Sequence, residues 1–184
     1  MGNPLQERRA PQDFAASGQV IEIADEISSF ERLAEIVATD LAALDPEKIP
    51  PDWRGRTVAG QLSFGFIDAQ GSAPALTGQV AVTIDAVCQR CLAPFALPLN
   101  TELRLLFDGD QAISVDGEDY EVWELDEDEV CPADLVEEAL IMALPLVAMH
   151  DGNANCVRAA ASPEIAEKMT TPFANLKAQM DKEN

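Results

Sequence analysis

The chain predicts an α+β fold: an antiparallel β-meander of hairpins, barrel-like if its ends close, covered by two main helices and carrying a C-x-x-C turn at one hairpin tip. Three observations predict it. Leu76, Val80, Val82, Ile84 and Ala86 share one parity with Cys88, and Phe95, Leu97, Leu99, Leu103, Leu105 and Phe107 repeat the pattern beyond Cys91. Alternation of period two marks a strand with one buried face, and two such runs joined by a few residues make a hairpin. Val58, Leu62, Phe64 and Phe66 form a third run of the same kind. Two further stretches, from Phe30 to Leu44 and from Leu135 to Leu144, switch to helical spacing and supply lids for the apolar face of the meander.

In order, residues 1–13 show no periodicity and read as an extended or loosely docked N-terminal arm, with a short strand over about Ser17–Ile23 to follow. Ser28-Ser29-Phe30-Glu31 matches a capping box, so a helix should begin there; Phe30, Leu33, Val37, Leu41 and Leu44 lie on its apolar face, and Asp45-Pro46 ends it. Lys48 to Gly55 is a proline-rich connector, and Asp68-Ala69-Gln70-Gly71 is the turn after the 58–66 strand. Segment 108–130 changes character, because eleven of its 23 residues are Asp or Glu. An edge strand is expected near Tyr120–Leu125, with the remainder a solvated acidic ribbon. Pro132 suits a first helical turn, after which Leu135, Val136, Ala139, Leu140, Met142, Ala143 and Leu144 face the core while Asp134, Glu137 and Glu138 face water. The organisation is therefore one domain over residues 14–160, with a C-terminal tail, 161–184, holding a short helix at about 173–180.

A formal net charge of −21 on 184 residues opposes attraction to phosphate backbones and anionic membranes, so a naked nucleic-acid binder is disfavoured. No stretch approaches the ~20 apolar residues of a membrane span, and the first residues hold no apolar signal core. A cytoplasmic protein is expected. In a reducing compartment four cysteines are thiols or metal ligands before they are disulfides.

Cys88, Cys91, His150 and Cys156 together supply three thiols and an imidazole, the ligand set of a structural Cys3His zinc site that would staple the hairpin tip to the chain leaving the second helix. The alternative, four ordinary residues, stays open, because the two pairs are far apart in sequence and cysteine packs readily as a small hydrophobe. A thiol–disulfide exchanger would need a helix after the first cysteine, whereas strands flank this C-x-x-C. Cys131, just before Pro132, reads as an incidental helix-start cysteine. Neither a G-x-S-x-G elbow nor a glycine-rich phosphate loop occurs, so no catalytic residue is assigned.

Cys88-Gln89-Arg90-Cys91 followed by Pro94-Phe95, then Glu138 to Pro145 running into His150-Asp151 and Cys156, then Pro172-Phe173-Ala174-Asn175-Leu176, resemble in order and spacing the YceD family of large ribosomal RNA subunit accumulation proteins. The resemblance implies a non-enzymatic role in synthesis, processing or stability of 23S ribosomal RNA. It leaves two rivals: a zinc-stapled interaction module unrelated to ribosomes, and a C-x-x-C redox protein. Given the charge, the partner expected is a basic large-subunit ribosomal protein or an rRNA-processing factor, with 23S rRNA associated indirectly and no membrane. The candidate docking residues are Tyr120, Trp123, Asp126, Glu127, Asp128 and Glu129, where carboxylates surround large apolar side chains.

Overall fold

The computed structural model describes residues 3–67, 73–107, 113–115, 118–125, 128–150 and 156. Its elements run α1 (Pro11–Ser17), β1 (Val20–Glu26), α2 (Glu31–Leu41), β2 (Thr57–Phe66), β3 (Pro74–Val87), β4 (Pro94–Leu106), β5 (Ile113–Val115), β6 (Glu118–Val122) and α3 (Pro132–Met142). The strands form one sheet in the order β1-β2-β3-β4-β6-β5. The meander β1 to β4 is antiparallel, and β6 joins β4 in parallel through Leu105↔Glu121 and Leu106↔Val122. The sheet is open, with β1 at one end and β5 at the other, so the barrel-like alternative does not hold. The strand expected near Tyr120 exists, but β5 lies outside it and takes the edge.

The alternating runs have the parity expected. Val58, Leu62 and Phe64 on β2, Leu76, Val80, Val82 and Ile84 on β3, and Leu99, Leu103 and Leu105 on β4 are all buried beneath the helices. Gly78, opposite Leu62 and Leu103, allows β2 and β3 to approach: a Cβ there would sit 2.6 Å from the Gln61 carbonyl oxygen and 2.7 Å from Leu62 Cδ2. The stripe Phe30, Leu33, Val37, Leu41 and Leu44 is buried throughout. On the other face Ala75, Leu106 and Tyr120 make a small second core.

Four expectations need correction. The arm expected over residues 1–13 is, where described, neither wholly extended nor loosely docked: a short 3₁₀ turn (Pro4–Gln6) buries Leu5, and α1, which begins within it at Pro11, buries Phe14 against Phe64, with ring centroids 4.6 Å apart. This helix starts on Pro11 and stops at Gly18, whose φ of 56° closes the left-handed cap, and β1 consequently starts at Val20. Seven residues are too few for a periodic signal. The capping box also fails to form, because Ile27–Ser29 make a 3₁₀ turn and Ser28 Oγ donates to Glu26 Oε2 at 3.2 Å. Phe30 becomes the N-cap residue of α2 and offers it no side-chain acceptor.

That acceptor comes from α3, which overturns the placing of Glu137 in water. Glu137 is buried; its Oε1 accepts from the Leu33 N–H at 3.1 Å and its Oε2 from Arg32 Nε at 2.8 Å. One carboxylate thereby caps the first turn of α2 and ties the helices together, with the favourable sign at a helix N-terminus. Met142, assigned to the core, is 78% exposed at the end of α3. Asp68 to Gly71 and the tail helix expected at 173–180 lie outside the described residues.

Removing a buried charged acceptor leaves its donors unmade, which costs about 2–4 kcal/mol. Glu137→Ala should lose that much stability in urea unfolding, and Glu138→Ala, whose ion pair with Arg32 is exposed, less than about 1 kcal/mol. Equal losses would show that the cap contributes nothing beyond a surface ion pair.

Candidate metal centre

The centre is built by the longest hairpin in the sheet. Pairing between β3 and β4 runs without a break from Ala75↔Leu106 to Val87↔Pro94, and at its tip the Cys88 N–H donates to the Ala93 carbonyl at 2.9 Å while the Leu92 N–H donates to the Cys88 carbonyl at 2.8 Å. Leu92 takes a left-handed φ of 58° to complete the turn, unusual for a residue with a Cβ. Asp40, near the end of α2, holds the tip from behind: its Oδ2 accepts from the Val87 N–H at 2.7 Å. On the other side the Gln89 N–H donates to the Ala148 carbonyl at 2.9 Å, drawing in the chain that leaves α3.

These contacts bring Cys88, Cys91, His150 and Cys156 together, with their ligand atoms all within 4.8 Å of one another. Cys88 Sγ lies 3.9 Å from Cys156 Sγ, and Cys91 Sγ lies 3.8 Å from His150 Nε2. Four ligands at the bond lengths of a thiolate-rich zinc site would stand about 3.8 Å apart along a tetrahedral edge, a spacing that these two pairs already have, and the donor set fits such an ion in chemistry. The His150 ring tilts against Phe95 at a centroid distance of 5.4 Å, which helps to aim Nε2 at the cluster. His150 Nδ1 is buried and has no hydrogen-bond partner among the described residues. Cys88 and Cys156 are buried and Cys91 is half-buried.

Burial pushes the Cys88 thiol up, but N–H groups of Cys91, Arg90 and His150, with the Cys91 side chain, outweigh it and bring the thiol down to about 6. Burial pushes the Cys156 thiol up in turn, and the neighbouring Cys91 and Cys88 sulfurs take it to about 11. One thiolate is thus ready at neutral pH and its partner holds a proton that an incoming cation would displace.

Of the residues singled out in the sequence, all four metal candidates converge here. The docking candidates do not behave as a set: Tyr120 is buried in the second core, Trp123 and Leu125 pack half-buried on the main one, Asp128 and Glu129 are exposed, and Asp126 and Glu127 lie outside the described residues. Cys131 is buried, its Sγ 3.7 Å from the Leu5 carbonyl oxygen, in keeping with a packing role. Phe95 and Asp40 went unassigned as site residues. A lone carboxylate between Val37 and Leu44, in an otherwise uncharged run, was the signal for Asp40.

Residues 76–182 match the family model described as large ribosomal RNA subunit accumulation protein YceD. The chain belongs to the YceD family. The matched region holds most of the β3–β4 hairpin, all of α3 and the four candidate ligands, whereas α1, β1, α2 and β2 precede it. The chain is also 36% identical over 124 residues to the protein named large ribosomal RNA subunit accumulation protein YceD from Haemophilus influenzae, covering 62% of this chain and 69% of that relative. No solved structure matches. Among the described residues no helix is long and apolar enough to cross a membrane.

A folded-state value below the ordinary thiol range means that ionised Cys88 stabilises metal-free protein above about pH 9, an advantage lost as pH falls through about 6. Cys156 has the opposite sign: its raised value favours the neutral thiol, and the stability associated with it is lost as pH climbs above about 9 toward 11. In metal-free, reduced protein, ultraviolet thiolate absorbance should therefore show one group titrating near pH 6. Cys88→Ser should abolish that step and Cys131→Ser should not; a first step above pH 8 in the parent would contradict the hydrogen-bonded thiolate.

Proposed function

We propose that this YceD family member is a non-enzymatic cytoplasmic factor for the synthesis, processing or stability of 23S ribosomal RNA during large-subunit formation, its fold stapled by zinc at Cys88, Cys91, His150 and Cys156. The observation that carries the ribosomal reading is the family match across 76–182, which spans the hairpin tip and the helix leading to His150. The zinc reading is supported by two ligand pairs at 3.8 and 3.9 Å within a set of four whose atoms all lie within 4.8 Å of one another, and by a thiol held low by backbone N–H groups. The ion would supply a closed, four-coordinate crosslink between the hairpin tip and the chain beyond α3, which is a folding contribution on the order of 10 kcal/mol for sites of this composition. Redox exchange is the less apt use of these cysteines, because Cys88 is fully buried and strands flank the motif.

With a net charge of −21, the first contact is with a large-subunit ribosomal protein or rRNA-processing factor, and 23S rRNA is reached through it.

Two measurements test the two halves separately. Elemental analysis of protein purified without chelator should find about one zinc per chain, and a strong chelator or the pair Cys88→Ser and Cys91→Ser should lower the melting temperature cooperatively. Absence of zinc together with melting unchanged by chelator sinks the metal site. Depletion of the protein in cells should lower mature 23S relative to 16S rRNA, with rescue by the parent chain; equal loss of both RNAs, or of neither, sinks the ribosomal assignment and leaves a zinc-stapled module of other purpose.

A further inference from the structure

We propose that the trough on both sides of Trp123 is the docking surface for a lysine- and arginine-bearing segment of a protein partner, seated by charge and anchored by an apolar side chain. It rests on the reading that the first contact is with a basic protein, and it moves that contact from the acidic ribbon to a formed groove. Between β4, β6 and α3 lies an open cavity of about 500 Å³, and a second of about 650 Å³ lies beside it toward Arg8 and Glu129. Trp123, Leu135 and Glu138 line both, so the cavities are two halves of one trough.

The charge of its walls determines the occupant. Each of the three arginines on the walls is already held by a carboxylate: Arg8 by Asp134 at 2.9 Å, Arg32 by Glu137 and Glu138 at 2.8 Å, and Arg104 by Glu102 at 3.1 Å. Asp119, Glu121, Glu124 and Glu129 are also wall residues, are exposed, and form no ion pair among the described residues. Four carboxylates without an ion pair among the described residues therefore face a trough whose accessible apolar side chains include half-buried Trp123 and Leu125 and Met142, 78% exposed. Water solvates exposed carboxylates well but gains nothing from the methionine. A basic segment with a leucine- or phenylalanine-sized side chain satisfies both, and the small Ala139 and Ala143 on the α3 wall leave room for it. Tyr120 has no part in this, since it faces the second core.

The test measures binding of a fluorescent peptide of about fourteen residues, alternating lysine with leucine, to the zinc-loaded full chain. Three variants isolate the trough. Asp119→Asn, Glu121→Gln and Glu124→Gln together remove three wall charges; Glu22→Gln, Asp25→Asn and Glu26→Gln remove three from β1, away from it; Met142→Gln removes the anchor. The trough triple should weaken binding about tenfold at low salt and Met142→Gln about threefold, with the β1 triple within twofold of the parent. Equal loss in both triples would show attraction to net charge alone and overturn the proposal, as would unchanged binding in the trough triple with its melting temperature preserved. Tight binding of purified 23S rRNA by the parent, lost in the trough triple, would make RNA the occupant and also overturn it. Co-sedimentation with large-subunit precursors separates this proposal from the ribosomal reading: a parent that fails to co-sediment counts against that reading, whereas a trough triple that co-sediments as the parent does counts against the trough alone.

Discussion

The register of the β3–β4 hairpin is the constraint on which the rest of the molecule depends. A slip of one residue in a strand pair turns every side chain to the opposite face, and here that would expose Leu76, Val80 and Val82 while carrying Cys88 away from Cys156. Cross-strand pairs such as Val82↔Leu99 and Ile84↔Leu97 hold the register along the hairpin. At its end Asp85 is buried and takes Arg56 in a two-pronged ion pair, Nε to Oδ2 and a terminal nitrogen to Oδ1, both at 3.0 Å. The ligand-bearing turn therefore sits on a strand end fixed from the β2 side by Arg56 and from the helix side by Asp40.

The same arrangement shows how so acidic a chain folds. Buried carboxylates are costly unless each meets donors, and Asp85 and Glu137 do, as does half-buried Asp40: Asp85 meets Arg56, Glu137 meets Arg32 and the Leu33 N–H, and Asp40 meets the Val87 N–H. Each lies between elements distant in sequence, so each fixes a relative position as well as satisfying itself. With only 12 lysines and arginines against 33 aspartates and glutamates, most acids have no cation available and must remain solvated. Their placement on the surface is then a property of the fold, and on the Trp123 side it leaves a one-signed field beside apolar side chains.

What the sequence made legible was whatever repeats. The alternation in β2, β3 and β4, the α2 stripe and the spacing of cysteines and histidine are local patterns that survive into three dimensions. What it hid was set by tertiary partners. Ser28 had the right neighbours for a capping box, but a carboxylate from α3, more than a hundred residues away, occupied the role. Glu137 looked like a solvent residue because its helical face is decided by where Arg32 and Leu33 lie. Tyr120 looked like an exposed bead in an acidic run, and only the pairing of β6 with β4 turned it toward Leu106. The helix at Pro11 was hidden for a different reason: a two-turn helix held by one phenylalanine leaves too few residues for a period to show.

The candidate metal centre and the trough are joined by α3. The wall residues Glu138, Ala139 and Met142 lie on its last turns with Ala143 as its C-cap, and His150 follows only eight residues after Met142. The N-terminal part of the helix is fixed by Glu137 and by Leu135, Val136 and Leu140 in the core, but Met142, Leu146 and Val147 beyond it are exposed, and little apolar burial holds the exit. Among the described residues that exit is held by half-buried Leu144 on the core, by the Gln89–Ala148 hydrogen bond, by the contact of Arg90 with the Met149 sulfur, and by His150, which packs on Phe95 and converges on the cysteines. A metal bound there would work chiefly by position, pinning the end of α3 and keeping the outer wall of the trough in place. In that arrangement a metal would not need to touch the trough to shape it, because the position of the outer wall depends on how firmly the far end of one helix is tied to the hairpin.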